Sequence, residues 1–251
     1  MSQIAWITGA STGIGKQLAL ALARQGWRVA LTSRGADKLA AVIDEAEAGV
    51  RGRLASYPVD VTDTAAVREL AQRIEQELGP IGLCIFNAGD YEPMSLADFD
   101  VALFRRLMEV NYVGVINGMA AAMPLMFARR AGQILITASV AGYRGLPLAA
   151  PYGASKAALI NMAESLRNEF AERGVQLRVV NPGFVKTPLT AKNTFNMPAL
   201  MTPEEAAAAV LRELAGDHFE ITFPKRFTYL LKLLRCLPYR VYFPIIKRLG
   251  S

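Results

Sequence analysis

Seven short apolar runs, separated by stretches of helical periodicity, constrain this chain more tightly than any other feature. They are Ile4–Thr8, Val29–Thr32, Leu54–Val59, Leu83–Asn87, Gln133–Ala138, Leu177–Asn181 and Phe219–Phe223. Short aliphatic runs bounded by turn residues read as strands covered on both faces. The intervening pattern predicts helices near Ile14–Gln25, Ala36–Ala48, Thr64–Leu78 (opened by Asp63), Phe99–Arg129 with a break, a segment from Tyr152 to about Arg173, and Pro203–Leu214. Strict alternation of strand and helix calls for a parallel sheet with helices on both sides. A chain of 251 residues fits one such doubly wound α/β domain, placed at 1–223, with 224–251 as a tail and not a second domain.

Composition narrows the class. Hydrophobic residues make up 52% and charged residues 20%, a globular balance. The two cysteines, Cys84 and Cys236, are too few for a disulfide framework and are expected as reduced thiols, which points to a cytoplasmic protein. The N-terminus runs straight into the first strand, so no secretory leader is expected. The uncharged run from Val110 to Ala128 has the length of a membrane span, but Asn111, Asn117, two glycines and Pro124 make it a buried helix. His218 is the only histidine and is expected at the surface, and no metal site is expected.

The charge of +6 is unevenly spread. Seven of the 28 basic residues and none of the 22 acidic ones fall within 225–251, so the rest of the chain is almost neutral. No nucleic-acid reading module accompanies this basic cluster, and nucleic acid is not an expected partner.

Three local patterns carry chemistry. Thr8-Gly9-Ala10-Ser11-Thr12-Gly13-Ile14-Gly15 lies between the first strand and the first helix, where a dinucleotide pyrophosphate needs a tight turn and free helix N–H groups. Tyr152 and Lys156 stand four residues apart, on one face of a helix. An ammonium beside a phenol is expected to lower the phenol's pKa towards the working range. Ser139 ends the fifth strand, at the rim where an active site would form.

From about residue 3 to 222 the chain resembles the short-chain dehydrogenase/reductase superfamily. The resemblance rests on the Thr-Gly-x-x-x-Gly-x-Gly turn, Asp60-Val61, Asn87-Ala88-Gly89, Asn111, Ser139, Tyr152 with Lys156, and Pro182-Gly183. Phe86 departs from the pattern, because the family often has a second asparagine there. The resemblance implies a Rossmann-type domain with about seven parallel strands and an oxidoreductase interconverting ketone and secondary alcohol. Tyr152 would be the acid/base and Lys156 its modulator and ribose ligand. Ser139 would hold the substrate oxygen, and Asn111 would bend its helix and support a proton-relay water. The cofactor would lie along Gly9, Ser11, Thr12, Gly13, Ile14, Gly15, Ser33, Arg34, Asp60, Val61, Asn87, Ala88, Gly89, Tyr152, Lys156, Pro182, Gly183, Val185 and Thr187. Arg34, with no acid until Asp37, suits a 2′-phosphate, so NADP(H) is the expected cofactor. Family members commonly form dimers or tetramers, and a homo-oligomer is implied. The competing class is a non-catalytic nucleotide-binding regulator on the same fold.

Two segments fall outside this core. Phe184–Met201 is rich in apolar residues and is expected as a lid over an apolar ligand. The tail interleaves Lys and Arg with Phe, Tyr and Leu. It reads as a membrane-surface element, or else as a cover over the pocket or a partner subunit. Together they favour a hydrophobic, lipid-like carbonyl or alcohol substrate, with membrane association at the inner surface as the corollary.

Overall fold

Hydrophobic side chains alternate along each strand, and the alternation sorts them into two cores on opposite faces of one sheet. In the computed structural model, which describes residues 3–249, the strands are β1 (Ile4–Thr8), β2 (Arg28–Ser33), β3 (Leu54–Pro58), β4 (Ile81–Phe86), β5 (Gln133–Thr137), β6 (Gln176–Pro182) and β7 (Glu220–Phe223). All pairings are parallel, in the order β3-β2-β1-β4-β5-β6-β7. The fold is therefore the single α/β domain that the alternation demands. Met1, Ser2, Gly250 and Ser251, which the expected ranges include, lie outside the described residues.

On one face Trp6, Cys84, Phe86, Ile134, Ile136 and Val179 meet the helices α4 (Thr64–Glu77), α6 (Gly114–Arg129) and α7 (Ala150–Glu172). On the other, Ala5, Ile7, Leu31, Ile85, Leu135 and Val180 meet α1 (Gly13–Arg24), α2 (Ala36–Asp44) and α8 (Pro203–Leu214). Successive strand residues point to opposite faces, which is why neighbours such as Ile134 and Leu135 belong to different cores. Phe86 takes the place of the family's common asparagine by packing. Its ring meets Trp6 edge to face at 5.5 Å, and a Cβ on Gly118 of α6 would come within 2.5 Å of it.

Several elements differ from their expected extents. The helix expected over Ala36–Ala48 stops at Asp44 and gives way to a single turn, α3 (Ala48–Arg51). The long segment from Phe99 starts at Val101, where Asp100 caps it through its carboxylate and the Ala102 N–H. It then breaks into α5 (Val101–Met108), a π turn at Glu109–Val113, and α6. Val101–Arg129 is the one stretch among the described residues long and apolar enough to cross a membrane. Half of its apolar 18-residue window is buried within the protein, as expected of a core helix. Arg178 sits fully buried in β6, where a strand pattern predicts an aliphatic residue. Its guanidinium donates to the carbonyls of Glu213 (2.9 Å), Leu214 (3.3 Å) and His218 (2.7 Å), so it caps the negative end of α8.

The tail folds back on the body as α9 (Lys225–Arg235) and α10 (Tyr239–Leu249). Phe227 and Leu231 pack on the core, Lys232 pairs with Glu220, and Lys225 with Glu213. Arg144 donates to the carbonyls of Leu234, Arg235 and Leu237 and lies 3.8 Å from the Tyr242 ring centroid, which fixes the turn between the two helices.

Candidate active site

The strand order reverses direction between β1 and β4, and in an open α/β sheet the ligand crevice forms beyond the carboxyl ends of the strands at such a point. Six of the motifs singled out from the sequence lie at those ends. The glycine turn follows β1, Arg34 follows β2, Asp60-Val61 follow β3, and Asn87-Ala88-Gly89 follow β4. Ser139 follows β5, and Pro182-Gly183 close β6.

The turn is packed to backbone distance. Gly9 has φ +66°, and a Cβ there would stand 2.8 Å from Ala88 Cα. A Cβ on Gly15 would stand 2.3 Å from the Gly9 carbonyl oxygen. Thr8 Oγ1 accepts from the N–H groups of Asn87 (3.0 Å) and Ala88 (3.1 Å), and Asn87 Nδ2 donates back to the Gly9 carbonyl at 3.3 Å. The Asn87 side chain thus braces the turn. The α1 N-terminus has no side-chain capping bond from Thr12 and no acidic residue in its first turn, which leaves its N–H groups and dipole for an anion. Thr187 lies over the same turn, its Cγ2 only 2.9 Å from where a Gly13 Cβ would be.

At the adenosine end, Arg34 is exposed and forms no salt bridge among the described residues, while Ser33 is half-buried. The Thr62 backbone N–H (3.0 Å) holds the Asp60 carboxyl below its usual range against the opposing effect of burial. The Thr62 hydroxyl and the Arg34 charge add to the lowering. Val61 is buried against Gly114, and its carbonyl accepts from Asn117 Nδ2 at 2.9 Å. These residues fit a dinucleotide: a close-packed glycine cradle, an open helix N-terminus, and an exposed guanidinium at the end of β2.

Tyr152 and Lys156 lie on α7, and Ser139 begins the 3-10 turn Val140–Gly142 beside them. Ser139 Oγ accepts from the Ala141 N–H (3.1 Å) and also reaches the Tyr152 phenol, so it is a cap and a site residue at once. Lys156 is buried, its Nζ 5.7 Å from the Tyr152 ring centroid and donating to the Thr137 carbonyl at 2.8 Å. Burial pushes the lysine down to about 8. The Tyr152 phenol is half-buried against Met94, Leu103, Leu107 and Phe104, and burial pushes it up to about 12. Ser139 pulls it down, and Tyr91 adds to the rise. The expected lowering by Lys156 is absent from this geometry, because the ammonium is turned onto the Thr137 carbonyl and its charge is itself disfavoured by burial.

Asn111 occupies the π turn, a device found at functional sites. Its Nδ2 donates to the Asp90 carbonyl (2.9 Å) and to Ser155 Oγ (3.0 Å), and its Oδ1 accepts from the Asp90 N–H (2.7 Å). The side chain clasps the loop after β4 to α7. Gly89 lies between the two groups, its virtual Cβ 3.3 Å from Asn111 Oδ1 and 3.5 Å from Lys156 Nζ.

Sequence reasoning missed Ser155, Tyr91 and Asn193. Ser155 lies inside the Tyr-x-x-x-Lys stretch, and its Oγ donates to the Tyr152 carbonyl at 2.7 Å, a backbone tie that spacing could have suggested. Tyr91 meets the Tyr152 ring edge to face, and its hydroxyl donates to Asn193 Oδ1 at 2.7 Å. Lys192 donates to the Tyr91 carbonyl (2.8 Å) and to Glu92 (2.7 Å). The segment expected as a lid is tied down across the site. It contains a 3-10 turn at Thr190–Lys192 and a bridge between the buried Val185 and Met201.

A parallel sheet with a glycine cradle at its switch point and a Ser-Tyr-Lys cluster beside it agrees with an oxidoreductase. The family model for short chain dehydrogenases matches residues 3–197, and the chain belongs to that family. An uncharacterized oxidoreductase of Myxococcus xanthus is 35% identical over 246 residues, covering 98% of this chain and 96% of that protein. A 3-oxoacyl-[acyl-carrier-protein] reductase of Thermotoga maritima is 33% identical, over 86% of this chain and 84% of its own length. Among solved structures, a short chain dehydrogenase from Burkholderia cenocepacia in complex with NADP superposes with a TM-score of 0.80 at 30% identity, covering 94% of this chain and 95% of that one.

Proposed function

We infer that the protein is an NADPH-dependent reductase of a hydrophobic ketone, with Tyr152 as the proton donor. The observation that carries this reading is the meeting of the Ser139 and Tyr152 hydroxyls in an apolar niche beside buried Lys156. The glycine turn, Arg34, Asp60, Val61 and the Asn87–Gly89 stretch would hold the cofactor, which supplies the hydride that reaches the carbonyl carbon. Ser139 Oγ accepts the Ala141 N–H and its hydroxyl meets the Tyr152 phenol, so a substrate oxygen would enter between the two hydroxyls. A phenol raised by burial stays protonated at neutral pH, and it gives that proton to the oxygen as negative charge develops there. Lys156 stands beside the ring with its ammonium on the Thr137 carbonyl, and the phenolate regains its proton from solvent. Asn111 keeps the loop after β4 against α7, which fixes where these groups stand.

A raised phenol pKa suits an acid better than a base, so this arrangement favours reduction over alcohol oxidation. The relative that reduces an oxoacyl carbonyl and the NADP-bound structural neighbour support the same direction and cofactor. The hydrophobic substrate rests on the Met94, Leu103, Leu107 and Phe104 surroundings of Tyr152 and on exposed Phe195 and Leu200 in the segment tied across the site. A series of ketones and oxoacyl thioesters of increasing chain length, followed by loss of NADPH absorbance, tests the reading. Turnover should rise with chain length. Protein that binds NADPH but consumes none with any carbonyl would overturn it.

A further inference from the structure

The last two helices are apolar on two sides. On α9 the inner side, with Phe227, Thr228, Leu231 and Leu234, packs against the body. Leu230 and Leu233 stand on the opposite side with Tyr229, more than half exposed, at the spacing of one helical stripe. Arg226 shares that stripe. On α10 exposed Tyr239 and Phe243 stack at 5.5 Å, with exposed Arg240 and Lys247 along the same flank. These two short helices hold six of the twelve large hydrophobic side chains exposed among the described residues, so the apolar exposure is concentrated and not scattered. No acidic residue lies between Lys225 and Leu249, and of their cations Lys225 and Lys232 pair with Glu213 and Glu220 of the body.

We propose that α9 and α10 form a docking surface for an anionic phospholipid bilayer. Each helix has 11 residues, about half of what a span requires, so the pair lies on the surface and does not cross it. The flanking cations choose the occupant. A second copy meeting this face about a two-fold axis would set Arg226, Arg235, Arg240 and Lys247 against their own kind, whereas lipid phosphates neutralise them. A cleft of about 350 Å³ at the junction of the helices, lined by Arg144, Arg235 and Tyr239 among others, adds a cationic recess for a headgroup. The surface also connects to the candidate site. Phe227 of α9 lies 5.7 Å from Phe184, and Phe184 lies 5.8 Å from Phe195, in the segment tied across Tyr91.

Co-sedimentation of the full chain with vesicles tests this, and the result does not depend on any enzymatic activity. Vesicles of phosphatidylcholine are compared with vesicles carrying phosphatidylglycerol, at low and high salt. Binding should be at least roughly tenfold tighter to the anionic vesicles and should weaken with salt. Two full-length variants, one with Leu230→Ser, Leu233→Ser and Phe243→Ser, the other with Arg226→Gln, Arg240→Gln and Lys247→Gln, should each lose roughly tenfold or more. NADPH binding, which involves none of these residues, reports that each variant is folded. Equal weak binding to both vesicles would overturn the proposal. So would undiminished binding by both variants, or self-association lost in the apolar variant without any vesicle binding. If either variant fails to fold, the lipid and salt dependence of the unaltered chain still decides.

Discussion

The rings of Tyr91 and Tyr152 meet edge to face, centroids 4.9 Å apart and planes at 79°, and the Tyr91 hydroxyl is held by Asn193. One aromatic residue thus couples the proposed proton donor to the segment across the site. Tyr91→Phe keeps the ring and loses the tether, so hydrogen exchange in residues 190–193 should speed up while kcat changes by less than about threefold. Tyr91→Ala also removes the edge contact, and kcat should fall by roughly tenfold or more. Equal kcat in the two variants would separate Tyr91 from the chemistry.

The pKa directions make a second test. In the cofactor-free protein Tyr152 should ionise near 12, read as the difference in tyrosinate absorbance between the parent and Tyr152→Phe. A midpoint below 9 would mean that Lys156 acts on the phenol even without cofactor.

Lys156 adds a stability prediction with a definite sign. Its folded pKa is about 8 against 10.5 when unperturbed, so the folded state loses its proton first. The destabilising effect of burying the charge is full below pH 8 and fades as pH rises towards 10.5. Lys156→Met should therefore be more stable than the parent at pH 7, by about 2 kcal/mol once the lost bond to the Thr137 carbonyl is counted. That advantage should shrink by pH 10. Thermal unfolding across this range checks it, and a constant difference would contradict the buried charge.

Arg34, exposed at the end of β2, is the proposed ligand of a 2′-phosphate. Arg34→Asp should reverse the ratio of kcat/KM for NADPH over NADH by at least tenfold, through loss of a phosphate ligand and addition of a repelling carboxylate. An unchanged ratio would remove Arg34 from recognition.

Much of this was legible from the sequence, for identifiable reasons. Strand runs, the glycine turn and the Tyr152–Lys156 pair are local patterns in which spacing alone sets geometry. Tyr91 and Asn193 are 102 residues apart and meet only because two loops converge, which no periodicity records. Arg178 reads as a misfit in a strand until the end of α8 is seen above it. The Tyr152 pKa went the other way because burial, which spacing does not reveal, raises it while Lys156 donates to the Thr137 carbonyl. Phe86 looked like a departure from the family pattern, and Gly118 is the compensation that spacing could not reveal.

The central claim is that the Tyr152 hydroxyl delivers the proton, and Tyr152→Phe tests it most directly. The variant keeps the ring against Met94, Leu107 and Tyr91 and removes only the hydroxyl. Carbonyl-dependent NADPH consumption should fall by roughly a thousandfold or more, while the NADPH dissociation constant, measured on the same sample, stays within about threefold. Turnover within tenfold of the parent would contradict the mechanism.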